Sequence, residues 1–232
     1  MANFGVIVFP GSNCDHDAYH ALKHVMNADV KFLWHKDTDL SDIDFLIVPG
    51  GFSYGDYLRS GAIARFSPIM QEVVKFAEKG GPVMGICNGF QILLEAGLIP
   101  GAMMHNNKLR FVCKSVNIRV ENTESMFTSH LKKGQVLNIP VSHGEGNYFL
   151  PEDELQKLED NDQVIFRYSD ANCEVNAASN PNGAINNIAG VCNDKKNVFG
   201  MMPHPERACT DDLGNTDGVN ILRGLLEVVE LA

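Results

Sequence analysis

The fold is decided by a stretch that combines a short apolar run, a tight turn and a helical pattern: residues 83–96, VMGICNGFQILLEA. Residues 83–86 carry no polar side chain, a pattern that predicts a strand covered on both faces. Residues 91–96 are predicted to be helical. A buried strand that leads into a helix is the building unit of parallel sheets, so this stretch predicts an α/β fold.

The same strand-to-helix order recurs on either side of this stretch. Continuous apolar runs predict further strands at residues 4–9 and 45–48, and residues 30–34 and 197–202 are also predicted to be strands. Helices are predicted at residues 15–26, from Pro68 onward behind an N-cap at Ser67, and near the end of the chain, where one apolar stripe comprises Leu222, Leu225, Leu226 and Val229. The alternation predicts a mostly parallel central sheet with flanking helices.

The middle of the chain has a different pattern. Apolar and polar side chains alternate in residues 116–120, and residues 137–142 and 164–169 are similar. Alternation predicts half-exposed strands, which are expected to be antiparallel additions to the sheet. No repeat, low-complexity tract or linker marks a boundary, so residues 1–232 are predicted to form a single domain.

Composition and charge exclude several classes of protein. Of the 232 residues 44% are hydrophobic, and the formal charge of −10 argues against nucleic-acid binding, which depends on Lys and Arg. No apolar run approaches the roughly 18 residues of a membrane span, and residues 1–4 lack the pattern of a signal peptide. The six cysteines form no C-x-x-C pair, which argues against a zinc site or a disulfide scaffold. We therefore expect a cytoplasmic protein without nucleic-acid or membrane partners.

Cys87 is the centre of the strongest chemical signal. The sequence of residues 85–89, Gly-Ile-Cys-Asn-Gly, has the form of a nucleophile elbow with Cys in place of Ser, between a predicted strand and a predicted helix. Glycines at both ends would avoid collisions with neighbouring backbone, and the helix N-terminus would favour the thiolate. The alternative interpretation is a buried cysteine whose neighbouring glycines serve packing alone.

His204 and Glu206 are the predicted base and its orienting group. Prolines at 203 and 205 favour an extended backbone, in which residues i and i+2 share a face. Glu206 can then hold one ring nitrogen of His204 and leave the other for a sulfur. A lone His-Pro-Glu is more often a surface turn, so the value of this motif lies in its combination with the elbow.

Three backbone groups are candidate oxyanion donors. Gly50 and Gly51 follow a predicted strand, where their N–H groups can face a ligand, and the N–H of Asn88 follows the candidate nucleophile. An ordinary strand-ending turn also explains the two glycines.

His143 lies in the loop Ser-His-Gly-Glu-Gly at residues 142–146. This loop could bind a ligand or form a simple turn, and His143 could be a rival base for Cys87.

Other motifs carry less weight. His16, His20 and His24 imitate a zinc-binding helix, but Asp17 stands where that motif has Glu and no further ligand is evident, so a solvated helix face is favoured. The sequence contains no Gly-Lys dipeptide and no G-x-G-x-x-G, which excludes a Walker A loop and the dinucleotide-binding fingerprint.

Together the motifs resemble those of a known family. The triad-type (class I) glutamine amidotransferases share, in this order, the patterns at residues 49–51, 85–91 and 204–206. Within that class, the glutaminase subunits of phosphoribosylformylglycinamidine synthases share those at residues 9–15, 50–56 and 142–146. The resemblance extends from residue 4 to the last helix. It implies one glutamine amidotransferase domain with a flavodoxin-like fold.

The resemblance also implies a function. Cys87 would attack the side-chain amide of glutamine, with His204 and Glu206 managing the protons, and a γ-glutamyl thioester would be hydrolysed to glutamate. The glutamine and its oxyanion would be bound by Gly50, Gly51, Asn88, Gln91 and His143. The ammonia would pass to a large synthase subunit, and a small third subunit is expected. No cofactor is expected in this chain, because the partner would carry the ATP, magnesium and formylglycinamide ribonucleotide sites.

Two other functions remain open. One is a stand-alone cysteine hydrolase such as a γ-glutamyl hydrolase, which would need no partner. The other is a non-enzymatic docking or regulatory module, in which Cys87 would be no more reactive than the other five cysteines.

Overall fold

A mixed sheet of nine strands forms the centre of the computed structural model, which describes residues 3–230 and the side chains of residues 3–227. The strands are β1 Asn3–Val8, β2 Asp29–Trp34, β3 Phe45–Val48, β4 Val83–Ile86, β5 Ala102–Met104, β6 Val112–Val120, β7 Val136–His143, β8 Asn147–Phe149, β9 Val164–Ser169, β10 Ile188–Cys192 and β11 Val198–Met201. The α-helices are α1 Asp15–His20, α2 Pro68–Glu78, α3 Asn88–Glu95, α4 Glu152–Asp160 and α5 Asp217–Glu230. Strands β5 and β8 pair separately. None of the helices in residues 3–230 is both long and apolar enough to cross a membrane.

Five neighbouring strands, in the order β2-β1-β3-β4-β11, are parallel, as predicted. Strands β3, β4 and β11 are buried along their whole length, which is expected of strands covered on both faces. The chain runs from β1 outward to β2 and then returns to β3 on the other side of β1. Ligands in open α/β sheets bind at the carboxyl ends of strands near such a reversal.

Four further strands continue the sheet from β11 in the order β10-β9-β6-β7, and each is antiparallel to its neighbour. Burial alternates along β7 from residue to residue, because one face of this strand is only partly covered. The predicted antiparallel strands are therefore confirmed. Strand β10 and helix α4 were not predicted. The five parallel and four antiparallel strands belong to one sheet, and the fold is a single α/β domain.

An aromatic cluster joins the parallel and antiparallel halves. Phe127 packs against Phe45 of β3 and Phe199 of β11, with ring centroids 6.0 and 5.3 Å apart. Phe199 also contacts Phe166 of β9, at 5.9 Å. All four rings are fully buried. Each pair adds about 0.5–1.5 kcal/mol beyond burial, so the cluster stabilises the junction between the two halves of the sheet.

Local structure differs from the sequence predictions at several points. After α1 the chain continues as a π-helical segment, Ala21–Val25, within the predicted helix. Helix α3 begins at Asn88, three residues before the predicted start, because the turn at Cys87 leads directly into it. Ser67 precedes α2, but its hydroxyl donates to Ala64 O and does not cap the helix. The side chain of Val229, in the predicted stripe, lies outside the described residues.

Candidate active site

Cys87 occupies a strained turn between β4 and α3. Its backbone lies at φ 52° and ψ −107°, outside the helical and extended regions. A Cβ at Gly89 would lie 1.8 Å from Val48 O, and one at Gly85 would lie 2.8 Å from the carbonyl of Gly89. Both positions therefore require glycine because backbone passes close by. The turn has the geometry that the elbow pattern predicts.

Cys87 follows β4 and also contacts the ends of β7 and β11. The side chain is 5% exposed, and Sγ lies 3.7 Å from Ser142 O at the end of β7. The N–H of Cys87 donates to Met201 O at 2.8 Å, which ties the elbow to the end of β11. The first N–H groups of α3 have no partner within the helix, so they place partial positive charge beside the sulfur.

His204 and Glu206 form a buried pair after β11. Ring Nδ1 of His204 lies 2.6 Å from Glu206 Oε1. Because a carboxylate can only accept, Nδ1 carries the proton. Nε2 is buried and has no conventional hydrogen-bond partner in residues 3–230, so it is the nitrogen left for a sulfur. Burial lowers the pKa of His204, but the Glu206 carboxylate and the adjacent Cys87 and Cys14 sulfurs outweigh it and hold that pKa well above its usual value.

Cys14 is a second thiol beside the imidazole, and its place in the site was not predicted. It precedes α1, and Sγ lies 3.0 Å from a guanidinium nitrogen of Arg207. Arg207 also pairs with Asp17 at 3.0 Å. Burial raises the pKa of Cys14 above its usual value, and the nearby His204 ring lowers it by a smaller amount. Cys14 is therefore a thiol near neutral pH and a weak nucleophile.

Gly50 leaves room for the imidazole. It follows β3, and a Cβ at this position would lie 2.8 Å from His204 Cε1 and 3.1 Å from Cys14 Sγ. Neither contact can be relieved without moving a side chain of the site. The glycine is therefore needed by the geometry of the site itself.

The N–H of Gly51 is available to a ligand. Gly51 has φ +139°, which favours glycine, and it forms a bridge with Ser12 in the loop after β1. The hydrogen bonds of this turn start at Phe52 N and Cys14 N and do not use the N–H of Gly51. With the N–H of Asn88 at the start of α3, it can supply the two donors of an oxyanion hole.

The side chain of Asn88 holds the loop after β3 against the elbow. Its Oδ1 accepts from Ser53 N at 3.0 Å, and its Nδ2 donates to Asp56 Oδ1 at 3.1 Å and to Gln91 Oε1 at 2.9 Å. Gln91 in turn donates to Glu145 O at 2.7 Å, in the loop after β7. These two amides therefore hold both walls of the site in place.

His143 is a neutral hydrogen-bond donor. Burial, with a smaller contribution from His204, lowers its pKa to about 3. Asn182 Nδ2 lies 3.0 Å from Nε2, and the Asn182 amide is oriented because its Oδ1 accepts from Ala184 N at 3.1 Å. Nε2 therefore accepts and Nδ1 carries the proton. Such a group is a poor base for Cys87, so of the interpretations left open the binding loop fits best.

One pocket connects these residues. Its free volume is about 80 Å³, and it is partly open to solvent. Of the predicted site residues, the pocket is lined by Gly51, Cys87, Gln91, His143 and His204. Gly50, Asn88 and Glu206 lie directly behind this lining, bonded to it or in contact with it. The lining residues that sequence reasoning did not assign include Cys14, Asp56, Ser60, Glu145 and Arg207.

The three histidines that imitate a zinc-binding helix, His16, His20 and His24, do not surround a common point. His16 packs on Phe32, with ring centroids 5.0 Å apart, and the rings of His20 and His24 are 5.4 Å apart. In the part of the chain that the structure describes, one group brings three possible metal ligands within 4.8 Å, and it comprises Cys14, His204 and Glu206. That group is the imidazole pair described above with its neighbouring thiol.

A change at Gly50 tests the fit around the imidazole. We expect Gly50→Ala to lower glutamine hydrolysis on the order of 10²-fold, because the added methyl group would displace the His204 ring. Overpacking of this size costs about 1–3 kcal/mol, so the variant should still fold. Glutaminase assays with thermal unfolding as the control measure both effects, and a fully active variant would contradict the placement of His204.

Comparison with known proteins supplies independent evidence. Residues 2–216 match the family model of the CobB/CobQ-like glutamine amidotransferase domain. The chain is 59% identical to phosphoribosylformylglycinamidine synthase subunit PurQ of Salinibacter ruber, over 99% of this chain and 98% of that protein. It is 56% identical to PurQ of Koribacter versatilis, over 96% of both chains.

Solved structures agree with these matches. A chain of PurLQS from Thermotoga maritima has a TM-score of 0.85 at 43% identity, over 97% of both chains. A glutamine amidotransferase from Thermotoga maritima shares the fold, with a TM-score of 0.57 at 14% identity, over 99% of this chain and 96% of that one. The resemblance inferred from the sequence motifs is thereby confirmed. This chain belongs to the glutamine amidotransferases, in the family of the PurQ subunits of phosphoribosylformylglycinamidine synthase.

Proposed function

We propose that this chain is the glutaminase subunit of a phosphoribosylformylglycinamidine synthase. It hydrolyses glutamine and supplies ammonia for the ATP-dependent conversion of formylglycinamide ribonucleotide to formylglycinamidine ribonucleotide. The observation that carries the proposal is the meeting of Cys87, on its strained turn, with the buried His204–Glu206 pair. A thiol beside an oriented imidazole is the arrangement of nucleophilic acyl transfer. Full-length similarity to PurQ subunits supports the choice of substrate and partner.

The first half-reaction forms a thioester. The Cys87 proton passes to Nε2 of His204, and Sγ bonds to the side-chain amide carbon of glutamine. The carbonyl electron pair moves to oxygen, which accepts hydrogen bonds from the N–H groups of Gly51 and Asn88. Nε2 then gives its proton to the amide nitrogen, the C–N bond breaks, and ammonia leaves. The γ-glutamyl group remains on Sγ.

The second half-reaction regenerates the thiol. His204 Nε2 takes a proton from a water molecule whose oxygen attacks the thioester carbon. When the C–S bond breaks, glutamate is released and the sulfur recovers the proton from the imidazole. Glu206 keeps its hydrogen bond to Nδ1 throughout, so it orients the ring and stabilises the imidazolium without transferring a proton.

The ammonia needs a protected route to its acceptor. Near neutral pH, ammonia in water is mostly protonated and not nucleophilic. We therefore place the acceptor site, with its ATP and magnesium, on a large synthase subunit docked over the pocket, and we include a small third subunit in the complex. All six cysteines are free, which supports a reducing compartment such as the cytoplasm.

Exposed apolar side chains around the pocket support this docking face. Tyr57 and Leu58 are 74% and 92% exposed in the loop after β3, and Leu109 and Phe111 are 81% and 55% exposed before β6. Leu58 and Leu109 also have positive φ angles, 72° and 52°, which bulky residues rarely adopt. Apolar groups held exposed at an energetic cost indicate a surface that a partner covers.

A charge at Leu58 tests the docking face. We expect Leu58→Glu to weaken binding of the synthase subunit by about tenfold or more, because a carboxylate would have to be buried in the interface. Leu213→Glu, at a leucine that is 58% exposed in the segment between β11 and α5, is the control and should bind normally. Titration of labelled subunits measures both affinities. Equal binding by the two variants would exclude this face.

Dependence on the partner tests the function as a whole. We expect weak glutaminase activity from the isolated chain and a large increase when the synthase subunit is present with its nucleotide substrates. A stand-alone γ-glutamyl hydrolase would instead be fully active alone. A pull-down from native extract, followed by identification of the bound chains, establishes the partners, including the third subunit.

Thiol labelling separates an enzyme from a docking module. An electrophilic glutamine analogue should modify Cys87 far faster than the other five cysteines, because the pocket binds the analogue beside that sulfur and burial keeps Cys14, which also lines the pocket, in the thiol form. Peptide mapping of the labelled protein gives the extent of labelling at Cys87 relative to the other five cysteines. Equal labelling of all accessible cysteines would favour the inert module.

A further inference from the structure

The pocket that holds the catalytic imidazole also has an acidic wall, formed by Asp56 and Glu145. Asp56, in the loop after β3, and Glu145, in the loop after β7, both line it, and their like charges act on one another. Burial, more than this repulsion, raises the pKa of the Asp56 carboxyl to about 6. Glu145 Oε1 lies 3.4 Å from Nδ1 of the exposed His105, whereas no described lysine, arginine or histidine forms a salt bridge with Asp56.

Asp56 is connected directly to the nucleophile. Its Oδ1 accepts from Asn88 Nδ2 at 3.1 Å, and Asn88 follows Cys87 in the chain. Ser60, which also lines the pocket, lies near the same carboxylate. Asp56 has φ 53°, in a loop where Tyr54 and Gly55 are also left-handed. A strained loop that turns a carboxylate toward a pocket is a feature of binding sites.

A second, independent feature indicates a ligand with hydrogen-bond acceptors. The His143 side chain lines the same pocket and is 3% exposed, and its Nδ1 has no hydrogen-bond partner in the part of the chain described. The contact with Asn182 makes Nδ1 a donor, as derived above. A buried donor without a partner costs about 1–3 kcal/mol unless a ligand satisfies it.

We propose that Asp56, with Glu145, binds the α-ammonium group of the substrate, and that the His143 Nδ1–H meets an acceptor oxygen of the same molecule. This inference rests on the proposed function, in which Cys87 receives the side-chain amide of glutamine. It assigns selection of a free α-amino acid to the loop after β3. Asp56 is thus a specificity residue in addition to its contact with Asn88.

An ammonium group fits this wall better than a metal ion. Among the described residues, three possible metal ligands approach within 4.8 Å only at Cys14, His204 and Glu206, so Asp56 and Glu145 lack a third ligand. Two carboxylates with amide and hydroxyl neighbours suit a cation that carries its own N–H donors.

The experiment compares glutamine with 4-carbamoylbutanoate, which keeps the amide and the carboxylate but lacks the α-amino group. Hydrolysis of both by the reconstituted complex is measured for the wild type and for Asp56→Asn, which can still accept from Asn88. We expect the wild-type preference for glutamine in kcat/KM to fall about tenfold to a hundredfold in Asp56→Asn, because the rate on glutamine falls further than the rate on the analogue. Asp42→Asn, at a side chain that is 78% exposed and outside this pocket, is the control and should keep the wild-type preference.

The outcomes separate the inference from the proposed function. A loss of the same factor on both substrates, or an unchanged preference, would overturn the ammonium site, because a merely structural role affects both substrates alike. Absence of glutamine hydrolysis by the wild-type complex would instead refute the proposed function. If Asp56→Asn fails to fold, Glu145→Gln carries the same expected loss of preference and decides the inference.

Discussion

Cys87→Ala is expected to abolish glutamine-dependent synthesis of the amidine product while leaving ammonia-dependent synthesis largely intact. Without the sulfur no thioester can form, and the loss for a missing nucleophile is on the order of 10⁴-fold or more. Alanine, like cysteine, has a Cβ, so it adopts the φ of 52° at a similar steric cost and the variant should still fold. Product formation is measured in the reconstituted complex with glutamine or ammonium salt as the nitrogen source.

The matched control for this change is Cys192→Ala. Cys192 is a buried thiol on β10, and burial raises its pKa to about 12, so it is inert near neutral pH. The control removes a buried sulfur without touching the site, and both activities should persist. If Cys87→Ala lost ammonia-dependent synthesis as well, the role of Cys87 would be structural.

His204→Ala should cost nearly as much as loss of the nucleophile, on the order of 10⁴-fold in kcat, because both proton transfers pass through Nε2. Glu206→Gln should cost less. A glutamine oxygen can still accept from Nδ1 at the 2.6 Å contact, so the ring keeps its tautomer but loses the charge that stabilises the imidazolium. Steady-state glutaminase rates of the two variants in the complex give the comparison, and an equal loss would contradict a role limited to orienting the ring and stabilising its charge.

The pH profile gives a second readout for Glu206→Gln. The Glu206 carboxylate raises the pKa of His204, so the protonated imidazole that donates to the leaving nitrogen persists to higher pH in the wild type. Protonated imidazole is lost as the pH rises through that pKa. In the variant the pKa falls, and the alkaline limb of the rate profile should move to lower pH. If the alkaline limb did not move, it would reflect the titration of a group other than His204.

Much of the fold was predictable because strand and helix patterns are local. Residues 45–48 and 83–86 are apolar without alternation, and both are parallel strands buried on both faces. The catalytic candidates were predictable for the same reason, since the elbow at Cys87 and the pair His204–Glu206 each depend on neighbours within two residues. The sequence alone thus determined the class of the sheet and the chemical type of the site.

Tertiary structure alone decided which distant groups share the pocket. Cys14 and Arg207 are 193 residues apart and meet because the ends of β1 and β11 open on the same edge of the sheet. Asp56 and Glu145 line the same pocket, and the amides of Asn88 and Gln91 connect the loops that carry them. The pattern of apolar residues in the sequence does not predict such contacts, because they arise from strand order and from hydrogen bonds between loops. For that reason the donor role of His143 and the acidic wall became visible only in three dimensions.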